Sequence, residues 1–185
     1  MFFWIAQIFG LLGLLCNTLS YQCRKRTHIL LIQSGGSIFF ATHFLMLGAI
    51  SGALLNIVGF FRASVSAAKD RLHLSATLLN GIFIPLYLLS YLAVFTLFGK
   101  EATLPNLLIE LLPVAAMVLS TVGFSAGNAK AVRIYSSIAS PFWLTYNAIS
   151  LSIGGVCSEI LCLSSAILGF FRHDHIKKNK ETSDQ

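Results

Sequence analysis

The chain has 185 residues, of which 56% are hydrophobic and only 11% are charged. A soluble domain carries about 25% charged residues, and a soluble chain this apolar would expose large adhesive patches. The composition therefore excludes a soluble domain and predicts an integral membrane protein. The net charge of +6 is then an orientation signal in short loops, and nucleic acid is excluded as a partner.

Apolar segments follow one another along the chain, separated by short polar or charged turns. At about 20 apolar residues per spanning helix, a chain of this length holds roughly seven spans. The fold class predicted is an all-α membrane protein of seven transmembrane helices. The predicted spans are residues 3–22, 29–47, 50–68, 75–98, 104–124, 131–150 and 152–171.

Basic residues segregate to one side of this seven-helix arrangement. The loops after the first, third and fifth helices, with the C-terminal tail, carry eleven Lys and Arg residues. The other side carries Lys100 alone, and Arg62 falls inside a span. Because cytoplasmic loops hold an excess of Lys and Arg, the pattern predicts a bacterial inner-membrane protein with a periplasmic N-terminus and a cytoplasmic C-terminus.

The first and last thirds of the sequence resemble each other at a fixed offset of 103 positions. The match needs no gap between residues 5–69 and 108–172, and it pairs Asn56 with Glu159. Helix ends, turns and charged loops coincide as well. The pattern predicts a 3+1+3 organisation with two parallel repeats, which is a known transporter plan. Its parts are residues 1–69 (first repeat), 70–103 (linking helix), 104–172 (second repeat) and 173–185 (cytoplasmic tail).

This plan resembles the SWEET and PQ-loop transporter superfamily. Members of that superfamily carry Pro-Gln near the cytoplasmic end of the first helix of each repeat, before a basic loop. The resemblance implies transport of a small solute through a central cavity, with a polar pair on the third helix of each repeat, here Asn56 and Glu159. Neither copy of the motif keeps its proline in this chain: Tyr21-Gln22 precedes Arg24-Lys25-Arg26, and Phe124-Ser125 precedes Lys130.

A closer resemblance covers almost the whole chain. The sequence is similar to the YgjV family of small bacterial inner-membrane proteins, and the resemblance implies a multi-pass inner-membrane protein without naming a substrate. The residues that carry it are Ala6-Gln7, His43-Phe44 with Leu47-Gly48, Leu55-Asn56, Glu110-Leu111-Leu112-Pro113, and Ser152-Ile153-Gly154-Gly155 followed by Glu159.

Three charged residues stand out well inside predicted spans, namely Glu159, Arg62 and Glu110. A charge at the centre of a span costs roughly 2.5–3.5 kcal/mol on insertion scales, so such residues mark either a polar site or a structural partner. Glu159 could bind a proton or a substrate ammonium group, or it could pair with Arg62. Both interpretations remain open from the sequence.

These residues define a predicted substrate site between the two repeats. Asn56 and Glu159 are expected to line a central cavity at matched depths. His43, Tyr146 and Asn147 are expected nearby, towards the outer ends of the second and sixth helices, and Arg62 deeper on the third. No metal site, catalytic residue or cofactor is predicted.

The functional hypothesis is a small-solute transporter, with the lipid bilayer and a small polar solute as partners and the oligomeric state left open. The alternative is a non-transporting membrane protein that acts as an assembly partner or sensor. A membrane-embedded enzyme is least expected, because the intramembrane carboxylates are scattered. A transporter requires the intramembrane polar residues to converge on one cavity, whereas an adaptor would disperse them into separate contacts.

Overall fold

The structure, a computed structural model, describes residues 2–150 and 152–172. Over these residues the chain is all-α, with seven helices and no strand, which confirms the predicted fold class. The predicted tail at 173–185 lies outside the described residues. The helices are α1 (Phe2–Ser20), α2 (Arg26–Met46), α3 (Ile50–Ala67), α4 (Ala76–Thr96), α5 (Leu104–Ser125), α6 (Ala129–Ile149) and α7 (Ile153–Phe170).

The helix ends follow local sequence signals. Asn128 caps α6, because its side-chain oxygen accepts the backbone N–H of Ala131 at 2.8 Å, and Ser75 caps α4 in the same way through Leu78. Gly127, between α5 and α6, has a φ of +86°, which a residue with a side chain adopts only with strain. These turns allow consecutive helices to reverse direction within a few residues.

Five of the described helices, α1 to α5, are long and apolar enough to cross a membrane by length and composition. The sixth, α6, falls outside that group because it carries many polar residues, several of which are buried, including Arg133, Ser140 and Asn147. The apolar stretch of α7 is shorter, at Gly154–Phe170. Large apolar side chains such as Leu89 on α4 and Leu168 on α7 are exposed on the outside of the bundle, where they suit contact with lipid.

Six of the seven helices form a ring. Within the first triplet (α1, α2, α3), α2 contacts both neighbours, and within the second triplet (α5, α6, α7), α6 does the same. The ring closes where α3 packs against α5 and where α7 packs against α1. Helix α4 lies outside the ring and contacts α3 and α5. Exchanging the two triplets would leave this set of ring contacts unchanged.

Small residues allow close packing at matching places in the two triplets. A methyl group added at Gly52 would lie 2.8 Å from the ring of Phe44, and one added at Gly155 would collide with the side-chain amide of Asn147. Gly155 follows Gly52 by 103 positions, and Asn147 follows Phe44 by the same number. In each triplet, therefore, a glycine near the start of the third helix receives a side chain from the end of the second.

Two basic residues at one end of the bundle are buried in helices, whereas the sequence predicted them among the loop residues. This end, where α1, α3, α5 and α7 finish, is called the basic end below. Arg26 was expected in a loop before a helix starting near residue 29, but it is the first residue of α2 and is 7% exposed. Arg133, which was interpreted as an orientation signal, is 1% exposed. Both guanidinium groups satisfy helix-terminal carbonyls, as described below.

Candidate functional site

A central cavity of about 90 Å³ lies inside the ring and is lined by side chains from all six ring helices. A buried water occupies roughly 10–15 Å³ by this measure, so the cavity has room for several water-sized groups. Lining residues of the two triplets are related by the offset of 103: Asn17 with Ser120, Tyr21 with Phe124, Gln33 with Ser136, Ser37 with Ser140, Phe40 with Trp143, Phe44 with Asn147, and Asn56 with Glu159.

Glu159 is the acidic residue of the cavity. Helix α7 carries it, and Ser140 of α6 donates a hydrogen bond to its Oε2 at 2.7 Å. Among the described residues, no basic side chain lies within salt-bridge distance of this carboxyl group. The ion pair between Glu159 and Arg62, which the sequence left open as an alternative, is therefore not formed among the described residues.

Arg62 lines the same cavity from α3 and is 5% exposed. Its Nη1 donates to the backbone carbonyl of Met117 and to the hydroxyl of Thr121, each at 3.2 Å. The guanidinium carbon also lies 4.2 Å from the centre of the Phe124 ring, a favourable cation–π arrangement. Its buried Nε has no hydrogen-bond partner among the described residues. The hydroxyl of Tyr87 on α4 is a further hydrogen-bond partner. Among the described residues, Arg62 is thus held by neutral groups of α4 and α5, without a carboxylate.

Two predicted amides also reach the cavity. Asn56 donates through Nδ2 to the Gly52 carbonyl of its own helix at 2.8 Å, which leaves the amide oxygen available. Asn147 is 2% exposed, and its Oδ1 has no hydrogen-bond partner among the described residues. The cavity therefore brings together Asn56, Glu159, Arg62 and Asn147, four of the six residues that the sequence analysis selected.

His43 and Tyr146 do not line the central cavity. The ring of His43 is fully buried, and its Nδ1 donates to the Ala6 carbonyl at 2.8 Å, because a carbonyl can only accept. This bond ties α2 to α1 within the first triplet. Tyr146 instead lines a second cavity of about 470 Å³ at the end opposite the basic end. Glu110 lines that second cavity too, where it forms an ion pair with Lys100.

Sequence reasoning did not select most of the polar residues of the central cavity. Asn17, Gln33, Ser37, Ser120, Ser136, Ser140 and Ser158 line it without having been proposed as site residues. A usable signal was present, because most of these residues occupy paired positions at the offset of 103. A search of that alignment for positions that are polar in both copies would have found the pairs of Asn17 with Ser120, Gln33 with Ser136 and Ser37 with Ser140.

At the basic end of the bundle, two arginines reach between the triplets. Arg26 of α2 donates through Nε to the Phe124 carbonyl at the end of α5, at 3.0 Å, and through Nη2 to Ser66 at the end of α3. Arg133 of α6 donates to the carbonyls of Tyr21 and Cys23, just after α1, at 3.1 and 2.6 Å. Both bind the negative end of a helix dipole.

Comparison with known families identifies the chain over nearly its whole length. The model of the Imp-YgjV family, described as bacterial inner membrane protein, matches residues 4–177. A search of curated proteins and a search of solved structures each gave no match.

Proposed function

This chain belongs to the Imp-YgjV family of bacterial inner membrane proteins, and from that premise we propose that it transports a small polar solute through the central cavity. The observation that carries the proposal is the convergence of Asn56, Glu159, Arg62 and Asn147 on that one cavity. These residues come from α3, α6 and α7, so both triplets contribute to a common polar space inside an otherwise apolar bundle.

The competing interpretation is an assembly partner or sensor that transports nothing. It expects the intramembrane polar residues to make separate pairwise contacts outside any common cavity, as His43 does with Ala6 and Glu110 does with Lys100. The convergence of Asn56, Glu159, Arg62 and Asn147 on one cavity favours a binding cavity over a purely structural role. The proposal assigns no enzymatic activity and no cofactor.

The proposal includes the 3+1+3 plan with two parallel repeats. Two observations support it: the lining positions pair at the offset of 103, and the ring contacts are unchanged when the triplets are exchanged. Helix α4 lies outside the ring, as expected of a linking helix that returns the chain to the side where the second repeat begins. Such repeats commonly move as rigid units around a site between them.

For orientation, we assign the basic end to the cytoplasm and the N-terminus to the periplasm. The support is the excess of Lys and Arg in the loops at the basic end, against Lys100 at the other. An alkaline phosphatase fused after Lys100 is then exported and active, whereas the same enzyme fused at the C-terminus stays in the cytoplasm and is inactive. An active C-terminal fusion would overturn this orientation.

The two buried arginines suggest how the cytoplasmic side opens and closes. Arg26 and Arg133 each bond to carbonyls at the end of the first helix of the other triplet, next to Tyr21 and Phe124, which line the cavity. Separating the triplets at this end must break both sets of charge-assisted bonds. The described arrangement therefore corresponds to a state that is closed to the cytoplasm.

The proposed function is tested first by ligand binding. Purified protein is screened for thermal stabilisation by sugars, amino acids, organic acids and amines, and each hit is tested for uptake into proteoliposomes. The proposal expects at least one class to stabilise the protein and to be taken up. If no compound in any class is bound or taken up, the protein is not a transporter of these solutes and the adaptor interpretation replaces the proposal.

A further inference from the structure

The central cavity holds one acidic and one basic side chain that do not pair with each other. Glu159 is contacted by the hydroxyl of Ser140, and Arg62 by a carbonyl, by hydroxyl groups and by an aromatic ring. The ion pairs among the described residues involve Arg26 with Asp70 and Lys100 with Glu110 only. Charged groups in a protein interior are ordinarily paired. A solute with an ammonium group and a carboxylate would supply a partner to each of the two side chains.

Arg62 and Glu159 lie at different depths of the bundle. Arg62 follows Asn56 by six residues on α3, which places its Cα roughly 9 Å further along the helix at 1.5 Å per residue. Glu159 occupies the position in α7 that pairs with Asn56 at the offset of 103. A solute that contacts both side chains must therefore present its two charged groups in different directions.

The size of the cavity limits the rest of the molecule. At about 90 Å³, it accommodates roughly six to nine water-sized groups. Small α-amino acids such as glycine, alanine and serine are of that size, whereas a disaccharide is far larger. The wall between the charges also carries short polar side chains, including Ser37, Ser120 and Ser136, which suit a small hydrophilic solute.

We propose that the solute is a small zwitterion of the α-amino acid class, whose ammonium group binds Glu159 and whose carboxylate binds Arg62. This rests on the proposed transport function and adds the substrate class to it. Arg62 suits the carboxylate because a guanidinium group offers a planar fork of donors, and the residue lines the cavity. The site is asymmetric, since the first triplet supplies the cation and the second triplet supplies the anion.

The test compares ligands that differ in one charged group, with binding measured by calorimetry on the full-length protein in nanodiscs. Glycine, alanine and serine carry both charges, glycinamide lacks the carboxylate, N-acetylglycine lacks the ammonium group, and glycerol lacks both. We expect the three zwitterions to bind and the three analogues to bind roughly tenfold to hundredfold more weakly, as expected for loss of a hydrogen bond to a charged group.

Variants assign each charge to its partner. Glu159→Gln should weaken zwitterion binding by a similar factor and should remove the penalty for N-acetylglycine relative to glycine. Glu110→Gln removes an intramembrane carboxyl group that is bonded to Lys100 outside the central cavity, and it should leave zwitterion binding unchanged. Because Arg62→Gln could fail to fold, Arg62→Lys is used beside it, and the ligand series on the unaltered protein tests the carboxylate contact independently.

The outcomes separate this inference from the transport proposal. Preferential binding of glycerol, a sugar, glycinamide or N-acetylglycine would overturn the zwitterion assignment while leaving transport of a small solute intact. Binding of zwitterions that Glu159→Gln and Glu110→Gln weaken equally would overturn the assignment of Glu159. A protein that binds none of these compounds, and none in the wider screen, contradicts the proposed function itself.

Discussion

The two triplets share a pattern of contacts but differ in chemistry. In each, a glycine of the third helix receives a side chain from the second, Phe44 at Gly52 and Asn147 at Gly155. At the interfaces between triplets, α3 contacts α5 through Arg62 and Thr121. The corresponding interface of α7 with α1 is made by residues at the paired positions, where Ser165 donates to the Thr18 carbonyl at 2.6 Å.

This difference separates the residues that pack the helices from those that, under the proposed function, would select the solute. Backbone approach at small residues recurs in both triplets, so it depends on shape and not on charge. The charged residues of the cavity do not recur, because Asn56 corresponds to Glu159 and Arg62 corresponds to Ser165. Two triplets with matching contacts therefore enclose a cavity with unlike side chains on its two sides, and mutations can alter the packing and the charges separately.

The largest effect is expected where the triplets are bonded together at the basic end. Arg133→Gln should lower the free energy of unfolding by about 3 kcal/mol or more, because hydrogen bonds to charged groups contribute roughly 1.5–3 kcal/mol each. Arg26→Gln should have a comparable effect, since it breaks the corresponding bonds to Phe124 and Ser66. Unfolding in SDS measures both values.

The control for these two variants is Arg24→Gln at an exposed position, which should change stability by about 0.5 kcal/mol or less. Equal stability of the Arg24 and Arg26 variants would contradict the bonded arrangement.

A smaller effect is expected at the paired glycines. Gly52→Ala forces a methyl group against the Phe44 ring and should cost about 1–3 kcal/mol of stability. Gly155→Ala should cost at least as much, because the added methyl group would lie 2.5 Å from Cγ of Asn147, which rotation of the amide does not move. The matched control is Gly35→Ala on α2, where an added methyl group meets open space and should stabilise the helix by up to about 1 kcal/mol. Thermal unfolding ranks the three variants, and a Gly35 variant as unstable as the Gly52 variant would refute the packing account.

The smallest effect on stability is expected when the carboxyl group is moved from one triplet to the other. In the double variant Asn56→Glu with Glu159→Asn, the new carboxyl group should find the hydroxyl of Ser37, which corresponds to Ser140. The free energy of unfolding of the double variant should therefore fall by only about 1 kcal/mol, in the range of a single hydrogen bond. The single variant Asn56→Glu should be less stable than the double variant, because it places two carboxyl groups around one cavity. If the single and the double variant are equally destabilised, positions 56 and 159 are not equivalent.

Much of the fold could be predicted from the sequence, because hydropathy and charge act locally along the chain. The seven helices, their approximate ends and the placement of Asn56 and Glu159 on one cavity follow from apolar length and from the offset of 103. The parallel repeat and the orientation remain predictions. The predicted start of α2 was wrong, because a charged residue such as Arg26 was expected in a loop. Arg26 is buried in the first turn of α2, where it bonds to the carbonyls of Ser66 and Phe124, which are far away in the sequence.

The remaining site residues could not be predicted, since their roles depend on which way a side chain turns within its helix. His43 was expected at the site, but the Ala6 carbonyl holds its ring inside the first triplet. Tyr146 lies next to Asn147 in the chain and yet faces the second cavity, because adjacent helical residues point in directions about 100° apart. The partners of Arg62, on α5, likewise depend on the packing of two helices that are distant in sequence.

The claim that solute passes through the central cavity is tested most directly by filling it. Ser37 lines the cavity, and a phenyl group in Ser37→Phe would occupy much of its volume, whereas Ser164→Phe adds the same group on the exposed side of α7. Uptake of the best-stabilising solute is measured in proteoliposomes that contain equal amounts of each folded protein. The account predicts that uptake is lost in Ser37→Phe and retained in Ser164→Phe. Undiminished uptake by a folded Ser37→Phe protein would contradict it.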